Sequence, residues 1–330
     1  MLMIFLYHIH LFEGGGTLGV AFFFVLSGFS LTIGYKERII EGTFNYHAFL
    51  KRRIVKMVPL HWLMLVAAAI LHFRTFFETL PQLLANLLLV QSWIPKEEFY
   101  LSFNSVSWYL SDTLFLVGIF PFLIRYVMKV SWLCQYIVAF IVFSLYVALL
   151  VFLPVDFYSP ILYISPLVRM MDFVVGIYLA FLIIGFIDSS HPHLRRFVNN
   201  NYFITVLILL IIIVLLIFLS QILDFPHKKI SVFYWPFISL LIAYVAIMGL
   251  LGNGGGKRGL IYWFGEISFT FFMTHQIVIR YSSAFFETFF PSLNMWIQYV
   301  LFFFISVSVA YFLDRFFVKP ISNLVSRESI

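Results

Sequence analysis

The chain has 330 residues, of which 62% are hydrophobic and 11% charged, and its net charge is +6. This composition excludes a water-soluble globular domain and indicates a polytopic membrane protein. The single cysteine, Cys134, excludes an intrachain disulfide and a cysteine-based zinc site, and no metal is expected. The basic residues lie in short loops between apolar segments, a pattern that encodes membrane topology, so nucleic acid binding is not expected.

Ten apolar segments are predicted to be transmembrane helices. They cover residues 1–12, 17–35, 54–73, 106–128, 133–153, 161–187, 202–222, 233–251, 261–281 and 295–317. The first is shorter than the ~20 residues that a helix needs to cross a bilayer core, so we expect the sequence to begin inside this helix. Residues 76–93 are apolar but interrupted by Pro81 and polar side chains, which predicts a short interfacial or re-entrant helix. The predicted fold is therefore all-α, a single transmembrane domain over residues 1–330.

The distribution of Lys and Arg orients these helices. If residues 76–93 do not cross the membrane, 15 of the 21 basic residues lie on one side, five lie on the other and Arg169 lies within a span. Basic loops are typical of the cytoplasmic side, which predicts a protein of the inner or plasma membrane with both termini in the cytoplasm. A crossing at 76–93 would place the basic loops at 36–53 and 195–196 on opposite sides, so we disfavour it.

Four ionisable side chains, and Trp108 close to one of them, fall at a similar predicted depth in the outer half of the membrane. His8 ends the first span, Trp108 and Asp112 begin the fourth, Arg169 lies in the sixth and His275 lies late in the ninth. Ionisable groups inside hydrocarbon are costly unless they have partners or a function. Their convergence at one depth therefore predicts a polar site.

Structural interpretations of the same residues stay open at this point. An isolated intramembrane histidine is often a helix-to-helix hydrogen-bond donor, and for His10 a structural or interfacial role is favoured. Arg169 is alternatively the counter-ion of Asp112 or Asp172 in a buried pair. Ser27 follows an aromatic run at a Ser-Gly step, which favours close helix packing through small residues.

A basic run at residues 51–56 precedes the third span and has two compatible interpretations. It is a stop-transfer cluster at a helix entrance. Its cations, among them Arg52, Arg53 and Lys56, would also suit the phosphates of a nucleotide-like donor. The glycine-rich run at residues 252–258 only superficially resembles a phosphate loop, because no Ser or Thr follows its Lys and no strand precedes it.

Six stretches spread over nearly the whole chain together carry a family resemblance. They are LYH at 6–8, GVAFFFVLSGF at 19–29, RRIVKMVPLHW at 52–62, SWYLS at 107–111 with Pro121, FGEISFTFFMTH at 264–275 and, more weakly, PLVR at 166–169 with Phe173 and Gly176. In this order and spacing they resemble the acyltransferase 3 family of integral membrane O-acyltransferases, which modify sugars and cell-envelope glycans. The resemblance implies about ten helices and an acyl-CoA donor that approaches from the cytoplasm.

The resemblance also assigns roles to particular residues. The family needs an Arg and a His ten residues apart on the first helix, and His8 matches the His, whereas the Arg would precede Met1. Arg52, Arg53 and Lys56 match a cytoplasmic Arg-Arg-x-x-Arg segment, with an ammonium in place of the last guanidinium.

One family position differs in this chain. Where many members carry Glu after Trp-x-Leu-Ser-x, the chain has Thr113, and Asp112 stands one position earlier. One position turns a side chain by roughly 100° around a helix, so Asp112 is not an equivalent carboxylate.

From these residues we expect an acyl-CoA-dependent membrane O-acyltransferase. An acyl group, with acetyl favoured, would pass from cytoplasmic acyl-CoA to a sugar hydroxyl of an extracytoplasmic or envelope glycan. His8 would be the general base, because an imidazole pKa of about 6.5 lies close to neutral pH. Trp108, Asp112, Arg169 and His275 would line the site, with His275 or Arg169 orienting the acceptor or stabilising the oxyanion.

The expected partners are acyl-CoA as co-substrate, a carbohydrate acceptor and membrane lipid, without a permanently bound cofactor. Two other classes of function are alternatives. One is a polytopic transporter or flippase for a glycan precursor, which also has ten spans and intramembrane charges. The other is an inactive family member that acts as an assembly partner.

Overall fold

The computed structural model describes residues 1–71, 78–189, 202–224, 229–251 and 259–327, and within these ranges the chain is helical and has no β-strand. The thirteen α-helices of these ranges are α1 Leu2–His8, α2 Gly15–Ile40, α3 Tyr46–Leu71, α4 Leu80–Leu87, α5 Glu97–Tyr100, α6 Trp108–Lys129, α7 Trp132–Phe152, α8 Pro166–Ser189, α9 Tyr202–Ile222, α10 Trp235–Leu251, α11 Leu260–Phe289, α12 Met295–Leu313 and α13 Lys319–Arg327. Two π-helical segments, Tyr158–Ile164 and Asp314–Val318, precede α8 and α13. The predicted all-α class is confirmed for the described residues.

Among the described residues, six helical stretches are long and apolar enough to cross a membrane. They are Gly15–Ile40, Tyr46–Leu71, Trp108–Lys129, Trp132–Phe152, Pro166–Ile187 and Met295–Leu324. Each coincides with a predicted span, so a multi-pass membrane protein is supported, whereas the predicted count of about ten is not confirmed. Of the remaining predicted spans, α1 has seven residues and α10 has 17. Along α11 the polar side chains His275, Gln276 and Arg280 lower the mean hydropathy.

The segment predicted not to cross the membrane contains the short helix α4. It has eight residues and begins with Pro81 in its first turn. A helix of that length spans about 12 Å, far less than a bilayer core of about 30 Å. This agrees with the prediction of a short helix without a crossing at residues 76–93.

Several residues used in the topology prediction lie outside the described ranges. They are Arg74, Arg195, Arg196, Lys228 and the segment 252–258 with Lys257 and Arg258. The orientation with both termini in the cytoplasm therefore stays a prediction from the sequence.

The chain divides into two compact units. The first unit comprises residues 1–16, 45–117 and 257–330, and the second comprises residues 17–44 and 118–256. His8, Trp108, Asp112 and His275 belong to the first unit, and Arg169 belongs to the second.

The core of the first unit joins α1, α11 and α12 through aromatic side chains. Its buried members are Phe5, Ile9, Phe271, Phe286, Phe302 and Ala310. The ring of Phe5 lies 5.8 Å from that of Phe271 and 5.5 Å from that of Phe303. Since interlocked aromatic rings fix the distance between helices, this core sets the position of α1 against α11.

In the second unit, α2 and α8 pack backbone against backbone at two glycines. A Cβ atom added at Gly28 would collide with the carbonyl oxygen of Phe173, and one added at Gly176 would collide with that of Val25. The close packing predicted for the Ser27–Gly28 step is thus found at its glycine.

Gly28→Ala is expected to destabilise the protein by about 1–3 kcal/mol, because the new methyl group must displace a helix backbone. Thermal unfolding of the detergent-solubilised protein measures the change. Gly34→Ala is the matched control, since Gly34 lies on the same helix and an added Cβ would meet no atom within 4 Å beyond the adjoining backbone of that helix. That control should be stabilised by up to about 1 kcal/mol through helix propensity. Equal changes in the unfolding temperature of both variants would contradict the close packing of α2 on α8 at Gly28.

Candidate active site

His8 is the last residue of α1, and the backbone beyond it ends the helix in a Schellman motif. His10 adopts a left-handed conformation with φ 59°. The amide of Leu11 donates to the carbonyl oxygen of Leu6 at 2.9 Å, and that of His10 donates to Tyr7 at 3.0 Å. The partly buried His8 therefore lies at a helix end whose backbone is fixed, and the exposed His10 lies in the turn that follows. The structural or interfacial role favoured for the His10 side chain stays a prediction.

His275 is buried in the middle of α11, with 1% of its surface exposed. Its Nδ1 lies 3.1 Å from the carbonyl oxygen of Phe271 and 2.8 Å from that of Phe272. Because carbonyl oxygens only accept hydrogen bonds, Nδ1 carries a proton and donates it. The buried Nε2 has no hydrogen-bond partner among the described residues. A neutral His275 therefore presents a lone pair at Nε2.

The two histidines predicted at one depth lie side by side. The ring centroids of His8 and His275 are 5.1 Å apart, with an angle of 51° between the ring planes. Phe271 stacks on His275 at 5.6 Å and 4°, and Phe5 lies 6.3 Å from the same ring. The site thus combines two imidazoles with an aromatic surround, one imidazole half-exposed and one buried.

The turn before α6 is fixed to α11 beside His275 by side chains that the sequence analysis did not single out. The Nδ2 amide of Asn104 donates to the carbonyl oxygen of Met273 at 2.9 Å. The hydroxyl of Ser105 donates to Oε1 of Gln276 at 2.6 Å. The signal available in the sequence was the Ser and Asn residues at positions 102, 104, 105 and 107, directly before an apolar span.

Trp108 and Asp112 begin α6 in the same unit as the two histidines. Trp108 is 5% exposed and Asp112 is fully buried. The ring of Tyr109 lies 5.0 Å from that of Phe272, next to His275 on α11. The first turn of α6 is therefore packed on the turn of α11 that carries His275.

Arg169 lies in the second unit and forms a buried ion pair with Asp172. Its Nη1 is 2.7 Å from the Asp172 carboxylate, and both side chains are fully buried. Its Nη2 donates to the carbonyl oxygen of Leu162 at 2.8 Å and to the hydroxyl of Ser231 at 3.1 Å. The indole of Trp235 donates to Asp172 at 2.5 Å. Of the two counter-ions considered for Arg169, the structure selects Asp172.

The three basic residues assigned to phosphate binding lie within α3. Arg52 and Lys56 are four residues apart and exposed, and the half-exposed Arg53 is three residues from Lys56. Spacings of three and four place side chains on one helical face. The guanidinium of Arg53 lies 5.7 Å from the ring of Phe49, which restrains it. The face presents three cations that an anionic group can contact together.

Known proteins resemble the chain along most of its length. A family model described as an acyltransferase domain matches residues 1–315. The chain is also similar to the acyltransferase MdmB of Streptomyces mycarofaciens, with 29% identity over 285 residues that cover 81% of this chain and 69% of the relative. No solved structure matches it. The family match includes His8, His275 and the basic face of α3.

Proposed function

The chain belongs to the acyltransferase 3 family, and on that premise we propose that it transfers an acyl group from acyl-CoA to a sugar hydroxyl with His8 as general base. The observation that carries the proposal is the contact of the His8 and His275 rings at 5.1 Å. It places the partly buried imidazole of His8 against the buried imidazole of His275, and the family match covers both residues. The family membership itself supports acyl transfer, as the sequence resemblance implied.

The chemistry needs one base. The thioester of acyl-CoA is already activated, so the hydroxyl oxygen of the acceptor attacks the acyl carbon while an unprotonated nitrogen of His8 takes its proton. The new carbon–oxygen bond forms, the carbon–sulfur bond breaks, and the proton passes from His8 to the departing thiolate. The acyl group ends on the acceptor and the products are an ester and CoA.

The hydrogen bonds of His275 and Arg169 narrow the roles expected for them. A neutral His275 has committed its one N–H to backbone carbonyls, so it offers no proton to an oxyanion. The guanidinium of Arg169 is held by Asp172 and its neighbours in the second unit. We therefore assign Arg169 to the stability of that unit, and we assign site-lining roles to Trp108 and Asp112.

We assign the phosphates of CoA to the basic face formed by Arg52, Arg53 and Lys56. Guanidinium groups grip phosphate oxygens in pairs, which suits Arg52 and Arg53 better than Lys56. The excess of basic residues on the predicted inner side supports a donor that arrives from the cytoplasm, and an acceptor in the envelope. Acetyl is the favoured acyl group and a glycan hydroxyl the favoured acceptor.

Combined replacement Arg52→Gln and Arg53→Gln is expected to raise the KM for acetyl-CoA about tenfold or more, with kcat changed less than about twofold. Two charge-assisted contacts to phosphate are lost, while the reacting groups stay in place. Initial rates of label transfer from acetyl-CoA in membranes measure both constants. With acetylpantetheine, which lacks the phosphates, wild type and variant should be indistinguishable.

Arg125→Gln is the control for this charge change, because Arg125 is an exposed basic residue of the second unit. It should leave the KM for acetyl-CoA unchanged. The assignment would be contradicted if the double variant kept the wild-type KM for acetyl-CoA, or if its KM for acetylpantetheine rose by the same factor. The basic face of α3 would then not bind the phosphates of the donor.

A further inference from the structure

We propose that His275 is a positioning residue for His8: its Nε2 accepts a hydrogen bond from a ring N–H of His8 and so orients that imidazole and stabilises its protonated form. The inference rests on the proposed function and adds a second residue to its site. In this role His275 acts on His8, and it neither orients the carbohydrate acceptor nor stabilises an oxyanion.

The tautomer of His275 is fixed by its own helix. Nδ1 donates to the carbonyl oxygens of Phe271 and Phe272, three and four residues earlier on α11. Only Nε2 is left to interact with anything else, and in the neutral ring it is an acceptor. The backbone thus holds a hydrogen-bond acceptor at a defined place beside α1.

Among the aromatic rings around Nε2, one can donate a hydrogen bond to it. A buried acceptor without a donor is unfavourable, and more so in a membrane protein, where water is scarce. Of the four rings that the described part of the chain places around His275, those of Phe5, Phe271 and Phe272 have no N–H or O–H. The fourth is His8, which has one.

The separation of the two rings suits this interaction. Two imidazoles joined by an N–H···N hydrogen bond of about 2.9 Å have their centroids about 5 Å apart, and the observed separation is 5.1 Å. The aromatic core formed by Phe5, Phe271 and Phe303 holds α1 at this distance from α11. The bond forms when the His8 ring turns an N–H toward Nε2 of His275, which has no other hydrogen-bond partner among the described residues.

The interaction matters most while His8 is charged. When one nitrogen of His8 has taken the proton of the acceptor hydroxyl, both of its nitrogens are donors. One faces the reacting atoms and returns the proton to the CoA thiolate, and the other donates to His275 Nε2. His275 gains and loses no proton in the cycle, so the overall reaction is unchanged.

Two replacements of His275 distinguish a role as hydrogen-bond acceptor from a role in packing alone. His275→Phe keeps a ring among the phenyl groups but has no acceptor, whereas His275→Gln keeps a carbonyl oxygen that can accept from His8. We expect the Phe variant to lose about tenfold to a hundredfold in kcat, with KM for both substrates within about twofold, and the Gln variant to recover much of that loss. In a His8→Ala background, His275→Phe should change the residual rate less than about twofold.

The outcomes distinguish this inference from the proposed function. A His275→Phe variant with wild-type kcat beside an inactive His8→Ala variant overturns the positioning role alone. Equal losses in folded Phe and Gln variants also overturn it, because an acceptor would then be irrelevant. A fully active His8→Ala variant overturns the base assignment of the proposed function. If the Phe variant does not fold, as judged by its elution as an aggregate, His275→Leu takes its place with the same expected kcat.

Discussion

Replacement of His8 by alanine is expected to lower the rate of acyl transfer by at least about a hundredfold. General-base catalysis by a positioned side chain contributes roughly 10²–10⁴ in rate, and alanine at position 8 has no group that takes the hydroxyl proton. The protein itself should fold, because the His8 ring is half-exposed and its helix end is fixed by backbone hydrogen bonds of the turn. Initial rates at saturating acetyl-CoA, normalised to the amount of protein in the membrane, measure the loss.

His10→Asn is the matched control for this loss. His10 lies two residues away, is exposed and adopts a left-handed conformation that asparagine tolerates. We expect its rate within about twofold of the wild type. A comparable loss in both variants would attribute the effect to the fold of α1, and a His8→Ala rate near that of the wild type would remove His8 as the base.

The largest effect on stability is expected from Asp172→Asn. The change leaves the fully buried guanidinium of Arg169 without its counter-ion at 2.7 Å. Loss of one partner of a buried pair costs about 3–5 kcal/mol, because the remaining charge is uncompensated. Denaturant unfolding in detergent measures the change. The double variant Arg169→Met with Asp172→Leu should be less destabilised than Asp172→Asn, since it removes both charges.

Glu266→Gln provides the control with an exposed ion pair. Glu266 lies 3.3 Å from Lys319, and the two side chains are 37% and 41% exposed. Exposed pairs contribute about 0–1 kcal/mol, so this variant should unfold near the wild type. Equal destabilisation by Asp172→Asn and Glu266→Gln would mean that the buried ion pair contributes no more to the free energy of unfolding than the exposed one.

The sequence predicted a common depth for His8, Asp112, Arg169 and His275, but it did not single out the two histidines as a pair. Two imidazoles in apolar segments that run in the same direction, each near the outer end, are expected at one depth, and the structure places their rings 5.1 Å apart. The sequence also contains the information needed to choose between the two candidate counter-ions of Arg169. Residues three apart share a helical face, which favours Asp172 over the distant Asp112.

Other features could not be derived from the sequence. The hydrogen bond from Asn104 to Met273 joins residues 169 positions apart, and only the folded chain brings them together. The tautomer of His275 depends on a side-chain rotation toward its own helix backbone. The predicted span at α11 is not confirmed, because its polar residues His275, Gln276 and Arg280 make this helix less apolar than a typical membrane span.

Transfer of label from radioactive acetyl-CoA to envelope glycan, in membranes that carry this chain and in membranes that do not, tests the proposed acyl transfer most directly. We predict label in the glycan fraction that depends on the chain and disappears with His8→Ala. The contradictory result is the same amount of label with and without the chain while the protein is present and folded. That result would exclude acetyl-CoA-dependent transfer and favour a transporter or an assembly partner.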